Sequence, residues 1–303
     1  MAIVPHDSLI FALSRPCWRE YLSLTKPKVS LLIVFTAIVG MILASPGTVP
    51  LPALVFGTLG IAMASGSAAA LNHIIDRRID KQMARTRRRP LATGSLRTRQ
   101  ALIFAATLCA GSMIVLWLST GRLCAVLTFG SVIGYAVIYT GWLKHATPQN
   151  IVIGGAAGAA PPVLGWVAVT HSIDAQALVL FLIIFLWTPP HFWSLAIARR
   201  EEYAKAGIPM LPVTHGVAYT RRQILRYTIV LVLCTLIPML IGMSGLIYLA
   251  AAIVLDARFL CLALALHRGD RPDLPVRTFR FSIIYLMTLF GAFIADHYCR
   301  LVL

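Results

Sequence analysis

Between residues 72 and 90 the chain reads Asn72-His73-Ile74-Ile75-Asp76-Arg77-Arg78-Ile79-Asp80-Lys81, then Met83, Arg85, Thr86 and Arg89-Pro90. Asn72, Asp76 and Asp80 recur every four residues. On a helix they share one face, with the Cβ atoms of Asp76 and Asp80 about 6 Å apart. Two carboxylates at that spacing suit one divalent cation. Mg²⁺ is commonly held by one or two carboxylates, its own water and substrate phosphates, and Lys81, Arg85 and Arg89 could take the remaining phosphate charge. The substrate this set of charges fits is a diphosphate. The competing reading is a structural network of aspartates and arginines at a helix end. Membrane topology alone explains arginines there, but a basic loop has no use for an acidic pair.

The elements that must position these residues are apolar. The motif follows the run 51–71, and the whole chain of 303 residues is 58% apolar and 13% charged, with a mean hydropathy of +0.80. That composition excludes a soluble globule. Apolar runs of bilayer-crossing length lie at 29–45, 51–72, 100–119, 122–141, 149–170, 175–197, 224–244, 246–266 and 281–299. They fill the length, so the expectation is an all-α membrane protein, a bundle of about nine transmembrane helices with an interior cavity. It forms one domain over 1–303, with 1–25 as a cytoplasmic tail. The net charge of +16 reflects loop asymmetry rather than nucleic acid, which is not expected as a partner. All but three of the 27 Lys and Arg residues fall in the tail and the alternate loops on its side, the exceptions being Arg122, Arg300 and Arg258 inside the eighth run. This places the N-terminus in the cytoplasm and the C-terminus outside. No signal or transit pattern precedes residue 25, so a bacterial cytoplasmic (inner) membrane is expected.

Other stretches carry weaker signals. Lys26-Pro27 opens the first run as an interfacial anchor or a phosphate contact. The second run is rich in Gly and Ala, as close packing in lipid favours, which would sink Asn72 and the aspartates into the bundle. Tyr135, Tyr139 and Trp142 read as an interface belt, or as an aromatic wall for an allylic cation. Pro161-Pro162 must bend or break its helix, and Pro189-Pro190 repeats the device. His191 beside it is functional or a bonded core histidine. Six cysteines show no paired spacing and read as buried packing residues. Asp256 and Arg258 are expected to pair with other helices, and Asp296 and His297 to be interfacial.

The motif Asn72-x3-Asp76-Arg77-x2-Asp80-x2-Met83-x-Arg85-Thr86-x2-Arg89-Pro90 resembles the first acidic motif of the UbiA-type intramembrane prenyltransferases, in the version of their heme-farnesylating branch. Tyr139-Thr140-x-Trp142-Leu143-Lys144, the stretch 147–158 and Thr188-Pro189-Pro190-His191-Phe192-Trp193 with 207–212 resemble the same branch. The likeness covers at least residues 26–216. It implies transfer of farnesyl from farnesyl diphosphate to the 2-vinyl group of heme B, with Mg²⁺ on Asp76 and Asp80, and catalytic roles for Asn72, Lys81, Arg85 and Arg89. Substrate contacts are implied for His73, Arg77, Met83, Tyr139, Lys144, Asn150, His191, Trp193 and Glu202, with Lys144 toward the heme propionates and His191 or His73 toward the iron. Glu201 and Glu202 stand where the wider superfamily carries a second aspartate-rich motif, which puts a second metal site in doubt. Heme A synthase and terminal oxidase assembly proteins are candidate contacts. A sister enzyme acting on a quinone precursor such as 4-hydroxybenzoate shares the diphosphate half of this reading, and a transporter with broken helices is the rival from another class.

Overall fold

The computed structural model describes residues 17–84, 86–269 and 271–302. Among them nine helices are long and apolar enough to cross a membrane: Pro27–Ala44, Ala53–Asp80, Thr98–Ser119, Arg122–Ala146, Asn150–Thr170, Ala175–Ala198, Gly216–Leu240, Leu246–Arg268 and Leu274–Val302. They are called spans one to nine. No strand occurs among the described residues. Each expected run has its helix, but spans seven and nine begin about two turns earlier than their apolar stretches. Arginine is a good helix former whose long side chain reaches water, so Arg221, Arg222, Arg226, Arg277 and Arg280 extend the helices they precede.

Small residues let the helices touch backbone to backbone. A Cβ on Gly40 would stand 2.1 Å from the carbonyl oxygen of Pro162, and one on Gly165 would stand 1.9 Å from that of Ala37. These two glycines fasten span one to span five. Spans two and three are joined by hydroxyls reaching across to carbonyls, Ser67 to Ala105 at 2.8 Å and Ser112 to Gly60 at 2.7 Å. Spans five and six are the most enclosed and span three the most lipid-facing.

Several expectations are corrected by packing. The Pro161-Pro162 pair does divide span five, at Ala160, into Asn150–Ala159 and Pro161–Thr170. The Pro189-Pro190 pair leaves span six continuous from Ala175 to Ala198. There the helix is held from the side: Trp187 Nε1 donates to the Ser282 carbonyl at 2.8 Å, and the Thr188 and Ser194 hydroxyls bond carbonyls one turn back. Asp296, near the C-terminal end of span nine, is buried, accepting the backbone N–H groups of Gly245, Ile247 and Tyr248 and so capping span eight from span nine. Asp256 does pair across helices, accepting from Tyr285 at 2.6 Å and Thr235 at 2.7 Å, whereas Arg258 is exposed. All six cysteines are free, and only Cys124 and Cys234 are buried. Cys261 faces outward within span eight, where lipid rather than water meets the thiol, while Cys17 and Cys299 lie at the two ends of the bundle.

Candidate active site

Span two remains helical through the motif and ends at Asp80, so Asn72, Asp76 and Asp80 do lie along one side. All three are buried, 5%, 3% and 4% exposed. Each is tied to a different element. Lys26 Nζ donates to Asn72 Oδ1 at 2.5 Å, and Asn72 Nδ2 donates to Asp76 Oδ2 at 2.9 Å and to the Thr140 hydroxyl at 3.2 Å. Lys144 Nζ reaches the same Asp76 Oδ2 at 2.7 Å. One terminal nitrogen of Arg89 bridges both oxygens of Asp80, at 2.9 and 2.8 Å. Span two thus meets the N-terminal segment, span four and the connection that follows it.

The local backbone explains how distant side chains arrive here. Lys26 sits between the short helix Trp18–Leu24 and span one with φ 48°, a left-handed conformation costing a side-chain-bearing residue about 1–2 kcal/mol. The turn it makes aims the ammonium at Asn72. Span four is wound as a π-helix over Gly134–Leu143, a form frequent at functional sites, and Thr140 donates to the carbonyl of Tyr135 five residues back at 2.9 Å. Asn150 Nδ2 then holds the carbonyl of Lys144 at 3.2 Å.

The carboxylates differ in what remains to them. Both oxygens of Asp80 accept from Arg89, and Asp76 Oδ2 accepts twice, but Asp76 Oδ1 is buried with no hydrogen-bond partner among the described residues. An orphaned carboxylate oxygen in a buried site is costly unless a cation meets it, so the donor set fits a divalent ion. Among the described residues no group of three or more His, Cys, Asp or Glu gathers, so a metal here would complete its shell from substrate and water.

Other anticipated residues are dispersed. Lys81 is exposed and half-buried Arg77 donates to the Ile74 carbonyl at 3.0 Å; Arg85 lies outside the described residues. Met83 and Trp193 are buried together in an apolar cluster with Ile151 and Met210, which gives both a packing role. Tyr139 stacks on Tyr135 at 5.7 Å and lies over Gly154, while Trp142 faces outward, 66% exposed. The aromatic set therefore divides between interior and surface. His191 Nδ1 bonds the Ser282 hydroxyl at 2.6 Å, and its ring stacks between Trp187 and Phe279. Glu202 is 3.8 Å from Arg199 and Glu201 is exposed. Lys144, expected on the heme side, sits on Asp76. His73 lines a cavity of about 500 Å³ with Lys26, Arg88 and Arg89. Thr140 stands in the stretch that carries the family resemblance but had no role expected of it, since a hydroxyl inside an apolar run does not show its partner until the neighbouring helix is known. Burial first, and then the positive charge of Arg89, push the Lys26 ammonium down to about 7.

A sequence profile described as the UbiA prenyltransferase family matches residues 33–290. The chain belongs to that family. Among curated relatives of this UbiA-family protein, the Protoheme IX farnesyltransferase of Stutzerimonas stutzeri is 58% identical over 94% of this chain and 95% of its own. That of Alkalilimnicola ehrlichii is 60% identical over 92% of each. A solved UbiA homologue from Archaeoglobus fulgidus, bound to DMAPP and Mg²⁺, superposes with a TM-score of 0.64 over 90% of this chain and 99% of that one, at 18% identity. The fold is shared.

Proposed function

We propose that this protein transfers the farnesyl group of farnesyl diphosphate to the 2-vinyl group of heme B, giving heme O and diphosphate. The observation that carries this is near-full-length identity of 58–60% to relatives bearing the name Protoheme IX farnesyltransferase. It favours heme over a quinone precursor, and a transferase over a transporter.

Asp76 and Asp80 are the residues that would hold Mg²⁺, with Asp76 Oδ1 the uncommitted donor. When bound, the ion neutralises diphosphate oxygens and favours departure of the leaving group. The chain's own residues do the rest. Asn72 fixes the Asp76 carboxylate from one side and Lys144 neutralises it from the other. Arg89, with Lys81 and Arg85 from the same stretch, stabilises charge growing on the diphosphate as the farnesyl C1–O bond breaks and its electron pair goes to oxygen. Tyr139 presents an aromatic face to the allylic cation. The vinyl carbon of heme adds to it, and water captures the porphyrin-stabilised cation and loses a proton, leaving a hydroxyl. No strong general base is required. His73, Arg77, Asn150, His191 and Glu202 complete the candidate contacts to substrate. The protein is one membrane domain, set in the bacterial inner membrane with the acidic end of the bundle cytoplasmic, close to heme A synthase or oxidase assembly proteins.

Mass spectrometry of hemes extracted from cells expressing the protein tests the reading. Wild type should accumulate heme O, and Asp76→Asn, nearly isosteric and folded, should lose at least about 100-fold in farnesyl transfer. Prenylated hydroxybenzoate in place of heme O, or full activity of Asp76→Asn, would overturn it.

A further inference from the structure

The cavity of about 500 Å³ beside the carboxylates is walled by Arg19, Glu20 and Lys26 from the N-terminal segment, His73 from span two, and Arg88 and Arg89 from the connection after it. Ser23, Pro90 and Ser95 complete the lining among the described residues. Four of the walls are cations and one is an acid, and Glu20 is engaged by the backbone N–H of Cys17 at 3.1 Å. Arg89 is neutralised by Asp80. Among the described residues neither Arg19 nor Arg88 has an ion-pair partner, and both are exposed at the mouth. Like charges gathered at this range repel, and a polyanion relieves them. The roof is fixed: in the helix Trp18–Leu24, Leu24 is buried against Ala70, Leu91 and Leu96, and Tyr21 packs edge-on to Phe104 at 5.2 Å.

We propose that this cavity is a vestibule that receives inorganic diphosphate released at the carboxylate site and delivers it to water. The inference rests on the prenyl transfer proposed above, the step that leaves diphosphate behind. Lys26 and Arg89 belong to both compartments, each lining the cavity while bonding Asn72 or Asp80, so an anion moving outward passes from one cation to the next. The charged ends of these side chains set what the cavity can hold: a diphosphate without its tail needs donors and positive charge, and Arg19, Lys26, Arg88 and Arg89 supply both.

Titrating inorganic diphosphate into the full-length protein in detergent, with EDTA present, isolates the vestibule, because without a metal the carboxylates, each paired with Lys144 or Arg89, offer the anion no attraction. Calorimetry should show binding to wild type that weakens at least about tenfold in an Arg19→Ala/Arg88→Ala variant, the loss of one charge-assisted contact or more, and that survives in Arg88→Lys. The same double variant should keep the wild-type single-turnover rate and kcat/KM for farnesyl diphosphate while its multiple-turnover rate falls, and KM with it. Absence of metal-free binding in wild type, or binding unchanged in the double variant, overturns the vestibule. Neither heme nor prenyl donor enters the titration, so a protein that binds diphosphate here but makes no heme O refutes the acceptor assignment alone.

Discussion

At the scale of single residues, the site is a set of charges that hold one another while one acceptor, Asp76 Oδ1, stays uncommitted. Removing Lys144 or Arg89 would strand a buried carboxylate, a change that typically costs about 3–5 kcal/mol, so those cations support the fold as well as the chemistry. Lys26 is the residue whose charge is most sensitive to conditions. Its ammonium, pushed down to about 7 by burial first and by Arg89 next, is protonated below that pH and neutral above it in the free protein. A bound diphosphate favours the charged form and draws a proton in above pH 7. The contribution of Lys26 to diphosphate affinity should therefore be independent of pH below 7 and decline above it by up to about tenfold per unit. Comparing pH titrations of wild type and Lys26→Met separates this from the ligand's own ionisation, which is common to both. Parallel curves would show that Lys26 does not meet the anion.

At the scale of elements, what positions those residues is the absence of side chains elsewhere. Gly165→Ala places a methyl 1.9 Å from the carbonyl oxygen of Ala37, and two backbones must part to admit it. Overpacking of this kind costs about 1–3 kcal/mol, so its thermal midpoint in detergent should fall clearly below that of wild type. Gly154→Ala meets a ring instead, its methyl 2.0 Å from Tyr139 Cδ2. A side chain can yield where a backbone cannot, so Gly154→Ala should remain folded and lose farnesyl transfer as Tyr139 is displaced. If the two variants exchange these phenotypes, the assignment of one glycine to packing and the other to the site is wrong. The π-wound stretch of span four belongs here as well. It turns Thr140 toward Asn72 in a register that an apolar periodicity does not reveal.

At the scale of the whole molecule, alternation of nine helices puts Cys17 and the aspartates at one end and Cys299, near the end of span nine, at the other. Both thiols are exposed. With the acidic end in the cytoplasm, a membrane-impermeant maleimide applied to spheroplasts should label Cys299 and spare Cys17 until the membrane is opened, with Cys17→Ser confirming the assignment. Labelling of Cys17 in intact spheroplasts would invert the topology. The number of spans, the span end that carries the acids and the charge bias between loops were legible in composition, because partition into lipid acts on each run almost independently of the others. The row of Asn72, Asp76 and Asp80 was legible for a similar reason: a four-residue repeat has one meaning on a helix.

What the sequence by itself determined was local and additive: where the chain is apolar, where it turns, and that Asn72, Asp76 and Asp80 share a face. What only the tertiary structure decided was partnership. That Lys144 rather than a metal-free void faces Asp76, that Lys26 lies against Asn72 from 46 positions away, that Asp296 caps a neighbouring helix, and that a double proline breaks span five but not span six all depend on which surfaces meet. Contacts between distant positions are chosen by the fit of whole helices, and no stretch of one helix contains that information.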